Sequence, residues 1–149
     1  MKRFVKRYKQ LCVLLLVLGQ VNLCAQASLS VQISSIKQPK GKILYSLYNS
    51  EWGFPDQPAM AYRYGSIPVS DTKTILNLGS LPPGEYALAI IHDANGNGKL
   101  DINALGIPTE SVGFSNNVMG AFGPPKFQRA RFSVRIGKND MNIKLRMGQ

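Results

Sequence analysis

Cysteine, acidic residues and long apolar runs are all scarce in this sequence. Of its 149 residues, two are cysteines and eight are acidic, against 18 lysines and arginines, and histidine and tryptophan each occur once. The apolar run Leu11–Leu18 is much shorter than the about 20 residues that a membrane-spanning helix needs, and this length disfavours a permanent membrane span. Apolar residues nevertheless reach 44% and charged residues only 17%, so the chain is expected to fold as one domain rather than remain disordered.

The first 27 residues predict a cleaved secretory signal. Basic residues without any acidic one precede the apolar run, and Ala25-Gln26-Ala27 places small residues at the −3 and −1 positions of a cleavage site. We therefore expect a signal peptide at 1–27 and a mature domain at 28–149, in the periplasm, in the cell envelope or secreted. Leu23 before Cys24 is unlike a lipoprotein signal, which has a small residue at that place.

Removal of the signal changes the composition of the chain that folds. Both cysteines leave with it, so the mature domain is expected to have no disulfide, thiol nucleophile or cysteine metal site. Five basic residues also leave, and 13 basic against eight acidic residues remain in 122 residues. Nucleic-acid binding loses its main support, because half of the net charge of +10 belongs to the export segment and no nucleic-acid-binding motif is present.

Alternation of apolar and polar residues predicts an all-β domain. A first strand carries Leu29, Val31 and Ile33 on one face, and the strongest strand, Gly84–His92, is apolar on both faces, as a central strand is. Pro and Gly punctuate the gaps. We predict a single immunoglobulin-like or transthyretin-like β-sandwich of about seven strands, with one long Gly/Pro/Asn-rich loop over 95–126. The other predicted strands are 41–49, 60–64, 72–78, 131–136 and 141–147.

One motif with recognisable chemistry follows the strongest predicted strand. Segment 93–101 fits D-x-N-x-N-G-x-x-D, the first positions of an EF-hand-type calcium loop. Ca²⁺ prefers oxygen ligands, alternate polar side chains can turn their oxygens inward, and Gly98 permits the sharp turn that such a loop needs. The expected ligands are the main-chain carbonyl of Lys99 and the side chains of Asp93, Asn95, Asn97 and Asp101.

This loop is not an EF-hand. Its twelfth position is Ala104 rather than glutamate, and no helices flank it. A further ligand has to come from elsewhere, with Glu110 as the nearest later carboxylate and Asn116 or main-chain carbonyls as alternatives. The expected dissociation constant is on the order of 10⁻⁴–10⁻³ M. The other interpretation is a metal-free polar turn, because Asn, Gly and Asp dominate turns without any ion.

With this loop the chain resembles a bacterial family known as domain of unknown function 2141. The matching stretches are 81–87, 92–101, 106–110, 113–117 and 123–127, so the resemblance covers essentially the whole mature chain. The resemblance implies a small exported protein with a β-sandwich fold. No activity is established for the family, so no residue roles carry over to this chain.

Aromatic and amide side chains outside the motif could contact a ligand. Trp52 could form a sugar-stacking platform, and Phe114 and Asn116 could line a site within the long loop. The alternatives are a buried aromatic plug for each ring and main-chain hydrogen bonds for the asparagine. These residues support a carbohydrate- or lipid-binding module as the second functional hypothesis.

A hydrolase is the third hypothesis. His92, the one histidine, could act as a base beside Asp101 and Glu110, since paired carboxylates can perform glycoside hydrolysis. The alternative for His92 is a strand-end residue hydrogen-bonded to the following loop. No other catalytic constellation is present, so we expect a non-enzymatic protein.

The remaining positive charge is concentrated at the C-terminus. If 131–136 and 141–147 pair as a hairpin across 137–140, four basic residues face outward together: Arg131, Arg135, Lys144 and Arg146. Such a face could contact a cell-envelope or polyanionic surface. The alternative is a solvated face whose charges discourage edge-to-edge aggregation.

Overall fold

The computed structural model describes residues 26–147, and these form nine strands with three short helical turns. The predicted signal peptide therefore lies outside the described residues, except for its last two positions. Within 26–147 no helix is long and apolar enough to cross a bilayer. The helical turns are Pro58–Met60, Ser115–Asn117 and Phe127–Ala130. The strands are β1 Ala27–Ser34, β2 Lys42–Tyr48, β3 Arg63–Pro68, β4 Thr74–Leu81, β5 Gly84–Asp93, β6 Ser111–Phe114, β7 Phe132–Val134, β8 Gly137–Lys144 and β9 Arg146–Met147.

The strands form two sheets that pack face to face. The small sheet has the order β4-β1-β8, in which β1 is antiparallel to β4 and parallel to β8. The large sheet has the order β3-β2-β5-β6-β9 and is antiparallel, and β7 pairs with the first residues of β5. The predicted all-β sandwich is confirmed, with nine strands in place of about seven.

The main core lies between the two sheets and follows from the alternation in the sequence. Along β1 the residues Ala27, Leu29, Val31 and Ile33 are buried, while their neighbours face outward. Opposite them lie buried side chains of β2 and β5, including Leu88 and Ile90 of the latter. Each fully buried Leu or Ile contributes roughly 1.5–3 kcal/mol, so alternation over several strands is enough to hold the sheets together.

A second core covers the outer face of the large sheet. Ala87 and Ala89 of β5 point away from the first core and are covered by three rings, Phe54, Phe114 and Phe127. Phe54 sits in the middle, with its ring centroid 6.2 Å from that of Phe114 and 5.8 Å from that of Phe127. This second layer explains why β5 is apolar on both faces, and its central position between β2 and β6 is as predicted.

The long loop predicted over 95–126 is interrupted by a strand. Residues Ser111–Phe114 form β6, which pairs with β5 so that Val112 lies opposite Ile91. All four residues of β6 are buried. Four residues are too few for the alternation of Val112 and Phe114 with Ser111 and Gly113 to stand out in the sequence, which is why this strand is absent from the prediction.

The predicted C-terminal hairpin does not form, and this expectation is wrong. Strand β7 pairs with β5, whereas β8 pairs in parallel with β1 in the other sheet. Residues 137–140, predicted as the turn, are the first half of β8. The basic residues therefore do not form one hairpin face, and Arg131 instead lies 3.3 Å from the Glu85 carboxylate. The pairing of β8 with β1 joins strands that are more than 100 positions apart in the chain, so proximity in the sequence does not predict it.

Candidate metal-binding loop

The loop begins at Asp93, the last residue of β5, whose side chain is fully buried. Its carboxylate accepts three main-chain N–H groups: Gly96 at 2.7 Å and Asn97 at 3.0 Å on Oδ1, and Gly98 at 2.8 Å on Oδ2. Gly98 has a φ of +82°, which glycine adopts without strain, so the predicted sharp turn is present. Asp93 therefore folds the following five residues around its own side chain.

The neighbouring main chain approaches Asp93 closely. Gly41 has a φ of +75°, and a Cβ at this position would stand 2.1 Å from the carbonyl oxygen of Asp93. Beside it, the Lys40 carbonyl lies 2.9 Å from Nε2 of His92. Because a carbonyl oxygen only accepts, Nε2 carries the hydrogen. His92 is buried at a strand end, and its hydrogen-bond partner lies in the connection before β2, not in the following loop as the alternative to a catalytic base had it.

The side chains at alternate positions of the loop converge. The N–H of Asn97 is shared between Oδ1 of Asp93 at 3.0 Å and Oδ1 of Asn95 at 3.1 Å, so these two oxygens lie beside the same nitrogen. The carboxylate of Asp101 accepts the side-chain amide of Asn95 at 2.7 Å and that of Asn97 at 2.9 Å. The structure therefore brings together four of the predicted ligand side chains.

Glu110 closes the loop from the other side. Its Oε1 accepts the N–H of Ala94 at 3.0 Å and its Oε2 accepts the N–H of Asp101 at 3.2 Å. The side chain is buried at the point where the chain returns to β6. One carboxylate thus bridges the first and last turns of the loop, and each of its oxygens retains a second lone pair.

The oxygen atoms of this loop suit a hard cation only if the amide side chains are among the ligands. Within residues 26–147 no group of three or more His, Cys, Asp or Glu side chains is placed to hold a metal ion. A cation would therefore depend on the amide oxygens of Asn95 and Asn97 and on the Lys99 carbonyl, which are ligand types that Ca²⁺ accepts. Both amides direct a nitrogen at Asp101, so a cation would replace these N–H groups as the partner of that carboxylate.

The three residues predicted to face a ligand have different environments. Trp52 is 76% exposed, so the alternative of a buried plug at this position is wrong, and a ligand-facing ring stays a prediction. Phe114 needs the opposite correction, because it is buried and its ring packs against Phe54 rather than facing a ligand. Asn116 donates its amide to the carbonyls of Arg129 at 3.2 Å and Arg131 at 2.8 Å, which is the main-chain role given as its alternative.

Asn116 belongs to a polar clasp at residues 115–117, in which the roles of Ser115 and Asn117 were not predicted. The Ser115 hydroxyl accepts the N–H of Leu88 at 2.9 Å, which joins the segment to β5. Asn117 donates to the Asn142 carbonyl at 3.0 Å and accepts the Lys144 N–H at 2.8 Å, so its amide pairs with the free edge of β8. Both asparagines of the clasp have positive φ. Asparagine adopts positive φ more readily than most residues, and this preference is the one signal of the clasp in the sequence.

The fold and the loop define a small β-sandwich protein in which one long loop is organised by carboxylate and amide side chains. The chain belongs to the family described as uncharacterized protein conserved in bacteria, domain of unknown function 2141, whose model matches residues 31–144. This match extends from β1 to the end of β8 and includes the loop. Comparison with curated proteins and with solved structures gives no match.

Proposed function

We propose that this is an exported, non-enzymatic protein with a structural or binding role, and that its loop from Asp93 to Glu110 binds Ca²⁺. The ion would be held by the side chains of Asp93, Asn95, Asn97 and Asp101 and by the Lys99 carbonyl. The observation that carries the proposal is that hydrogen bonds link the first, third, fifth and ninth positions of the motif into one cluster, through the shared Asn97 N–H and the Asp101 carboxylate.

Charge supports a cation at this place. Three of the eight acidic residues of the chain, Asp93, Asp101 and Glu110, belong to this one loop, and none of them forms a salt bridge within residues 26–147. A divalent cation would relieve their mutual repulsion and give the Asp101 carboxylate a stronger partner than two amide N–H groups.

The function of the ion would be to order the loop. Glu110 already joins the two ends, and the ion would fix the middle, so the surface presented by residues 94–109 would have one conformation in the presence of calcium. A ligand that binds only the folded state stabilises it by mass action. With a dissociation constant of 10⁻⁴–10⁻³ M, about 5 mM calcium would add about 1–2 kcal/mol to the free energy of unfolding.

Thermal unfolding tests the proposal. The midpoint of the purified protein should rise by roughly 5 °C between chelator and millimolar calcium. Asp101→Asn should abolish this rise, because it removes the carboxylate on which both amides converge. Asp140→Asn is the matched control, since this exposed carboxylate on β8 pairs only with Lys138, and it should leave the rise intact. An unchanged midpoint of the unsubstituted protein at millimolar calcium would overturn the proposal.

A second candidate function is carbohydrate or lipid binding through Trp52. The indole is exposed on a loop whose main chain is held by hydrogen bonds from Phe54 to Glu51 at 3.2 Å and from Gln57 to Gly53 at 2.8 Å. A large flat ring that stays exposed on an ordered loop offers stacking area at low entropic cost. This loop follows β2, so it lies at the end of the large sheet opposite to the candidate calcium loop.

Binding arrays test this second candidate. A glycan or lipid array should give a signal that Trp52→Ala removes and that Phe122→Ala, a change at another fully exposed ring, does not. Equal loss in both variants would point to non-specific apolar adhesion and would reject a Trp52 site.

A further inference from the structure

A cleft of about 630 Å³ opens on the outer face of the small sheet. Its floor consists of two cross-strand pairs of β1 and β8: Gln32 lies opposite Asn142, and Ser34 lies opposite Lys144. All four side chains belong to the polar face of the sheet, which points away from the core. The cleft therefore has a floor of hydrogen-bonding groups on rigid strands.

The walls of the cleft come from two connections. Thr72 and Lys73, just before β4, form one side, and Asn117 of the clasp forms the other. Asn117 is fixed by its two hydrogen bonds to β8, including the one to the main chain of Lys144. The same hydrogen bonds hold the strand segment from which the Lys144 side chain extends.

The charge of the cleft is positive. Lys73 and Lys144 both line it, and neither forms a salt bridge in the described part of the chain. The acidic residue nearest in sequence, Asp71, accepts the N–H and the hydroxyl of Thr72 instead. Among residues 26–147 the side-chain amides of Gln32 and Asn142 make no hydrogen bond to protein, so their N–H groups are available at the same place as the two ammonium groups.

We propose that this cleft binds a tetrahedral oxyanion, a phosphate or sulfate group, either free or carried by a small ligand. The ammonium groups of Lys73 and Lys144 neutralise its charge, and the amide N–H groups of Gln32 and Asn142 donate to its oxygens. The inference does not depend on calcium, because the cleft lies on the small sheet and the candidate metal loop follows a strand of the large one. Since the site is open to water, the expected dissociation constant is on the order of millimolar.

Titrations followed by amide chemical shifts test the proposal in calcium-free buffer. Phosphate and sulfate should give saturable shifts at Ser34, Lys73 and Asn142, and acetate should bind more weakly because it carries one charge. Glucose 6-phosphate distinguishes the two sources: tighter binding than inorganic phosphate identifies a ligand-borne group, and equal binding identifies the free ion. Either result supports the site.

Matched lysine variants complete the test. The double variant Lys73→Gln/Lys144→Gln should raise the dissociation constant about tenfold, because each exposed charge contributes modestly and the two contributions add. Lys138→Gln is the control, because Lys138 lies on the same face of β8 at its other end and pairs with Asp140 at 3.4 Å. Shifts that do not saturate, or an equal effect of the control variant, would mean general screening of positive charge and would overturn the proposal. Loss of calcium binding in Asp101→Asn should leave the phosphate titration unchanged.

Discussion

The Asp93 carboxylate provides the most direct test of how the loop is built. Asp93→Asn keeps the size of a fully buried side chain but removes its charge and turns one acceptor into a donor. The hydrogen bond from Gly98 is lost, and those from Gly96 and Asn97 become neutral ones. Hydrogen bonds to charged groups contribute roughly 1.5–3 kcal/mol and neutral ones about 1 kcal/mol, so even the lower values give a net loss of unfolding free energy of about 3 kcal/mol.

Urea unfolding in the presence of chelator measures this loss without any contribution from calcium. The loss corresponds to a fall of roughly 12 °C in the thermal midpoint for a chain of this size. Asp140→Asn is the isosteric control at an exposed carboxylate, and its effect should stay within about 0.5 kcal/mol. If the two variants were equally stable, the hydrogen bonds to Asp93 would not hold the loop, and the argument for a preformed site would fail.

Three further predictions concern other parts of the molecule. Asn117→Ala should cost about 2 kcal/mol and accelerate hydrogen exchange at the Lys144 amide, which then has no acceptor; unchanged exchange would contradict the clasp. Burial raises the pKa of the Tyr48 phenol from 10.0, so the folded state keeps a proton that the unfolded chain loses. Stability should therefore decline above about pH 10, and Tyr48→Phe should make that decline shallower in urea titrations. Intact mass of the exported protein should show Ser28 as its first residue; a lipid-modified Cys24 at the start would refute the predicted cleavage site.

The hydrolase hypothesis gains no support from the geometry. Both oxygens of Glu110 accept main-chain N–H groups of the loop, and Nε2 of His92 faces the Lys40 carbonyl. Asp101 in turn accepts two side-chain amides. Each group that a hydrolase would use as acid or base has a hydrogen-bond partner that fixes the loop or the strand end. The same residues account more simply for an ordered loop than for a reaction.

The arrangement of the C-terminal strands alters the interpretation of the positive charge. The expected hairpin face would have presented Arg131 and Lys144 together. Lys144 instead ends β8 of the small sheet, whereas Arg131 lies just before β7, which pairs with β5 of the large sheet, and Arg131 forms a salt bridge with Glu85. Lys144 instead shares a cleft with Lys73, which is 71 positions away in the chain by residue number. The basic surface that the structure favours is therefore smaller and more specific than a hairpin face.

The sequence was most informative where the physics is local. Alternation of apolar and polar residues predicted the class of fold, because burial of one strand face depends only on the next few residues. The loop could also be predicted, since Asp93, Asn95, Asn97 and Asp101 are linked by contacts that span at most six positions. Gly98 predicted the turn through its own backbone freedom.

The tertiary structure decided what depends on distant partners. The short strand Ser111–Phe114 exists because β5 offers it an edge, and β8 lies beside β1 because the core favours that pairing over a local hairpin. Phe54, and not Trp52, fills the space above β5. Trp52 is therefore exposed, whereas Phe114 is buried against Phe54. Sequence alone determined the sandwich and its candidate ion loop. Only packing between remote strands determined the second core, the clasp and the cleft, because the free energy of those contacts arises between residues that the chain does not place near one another.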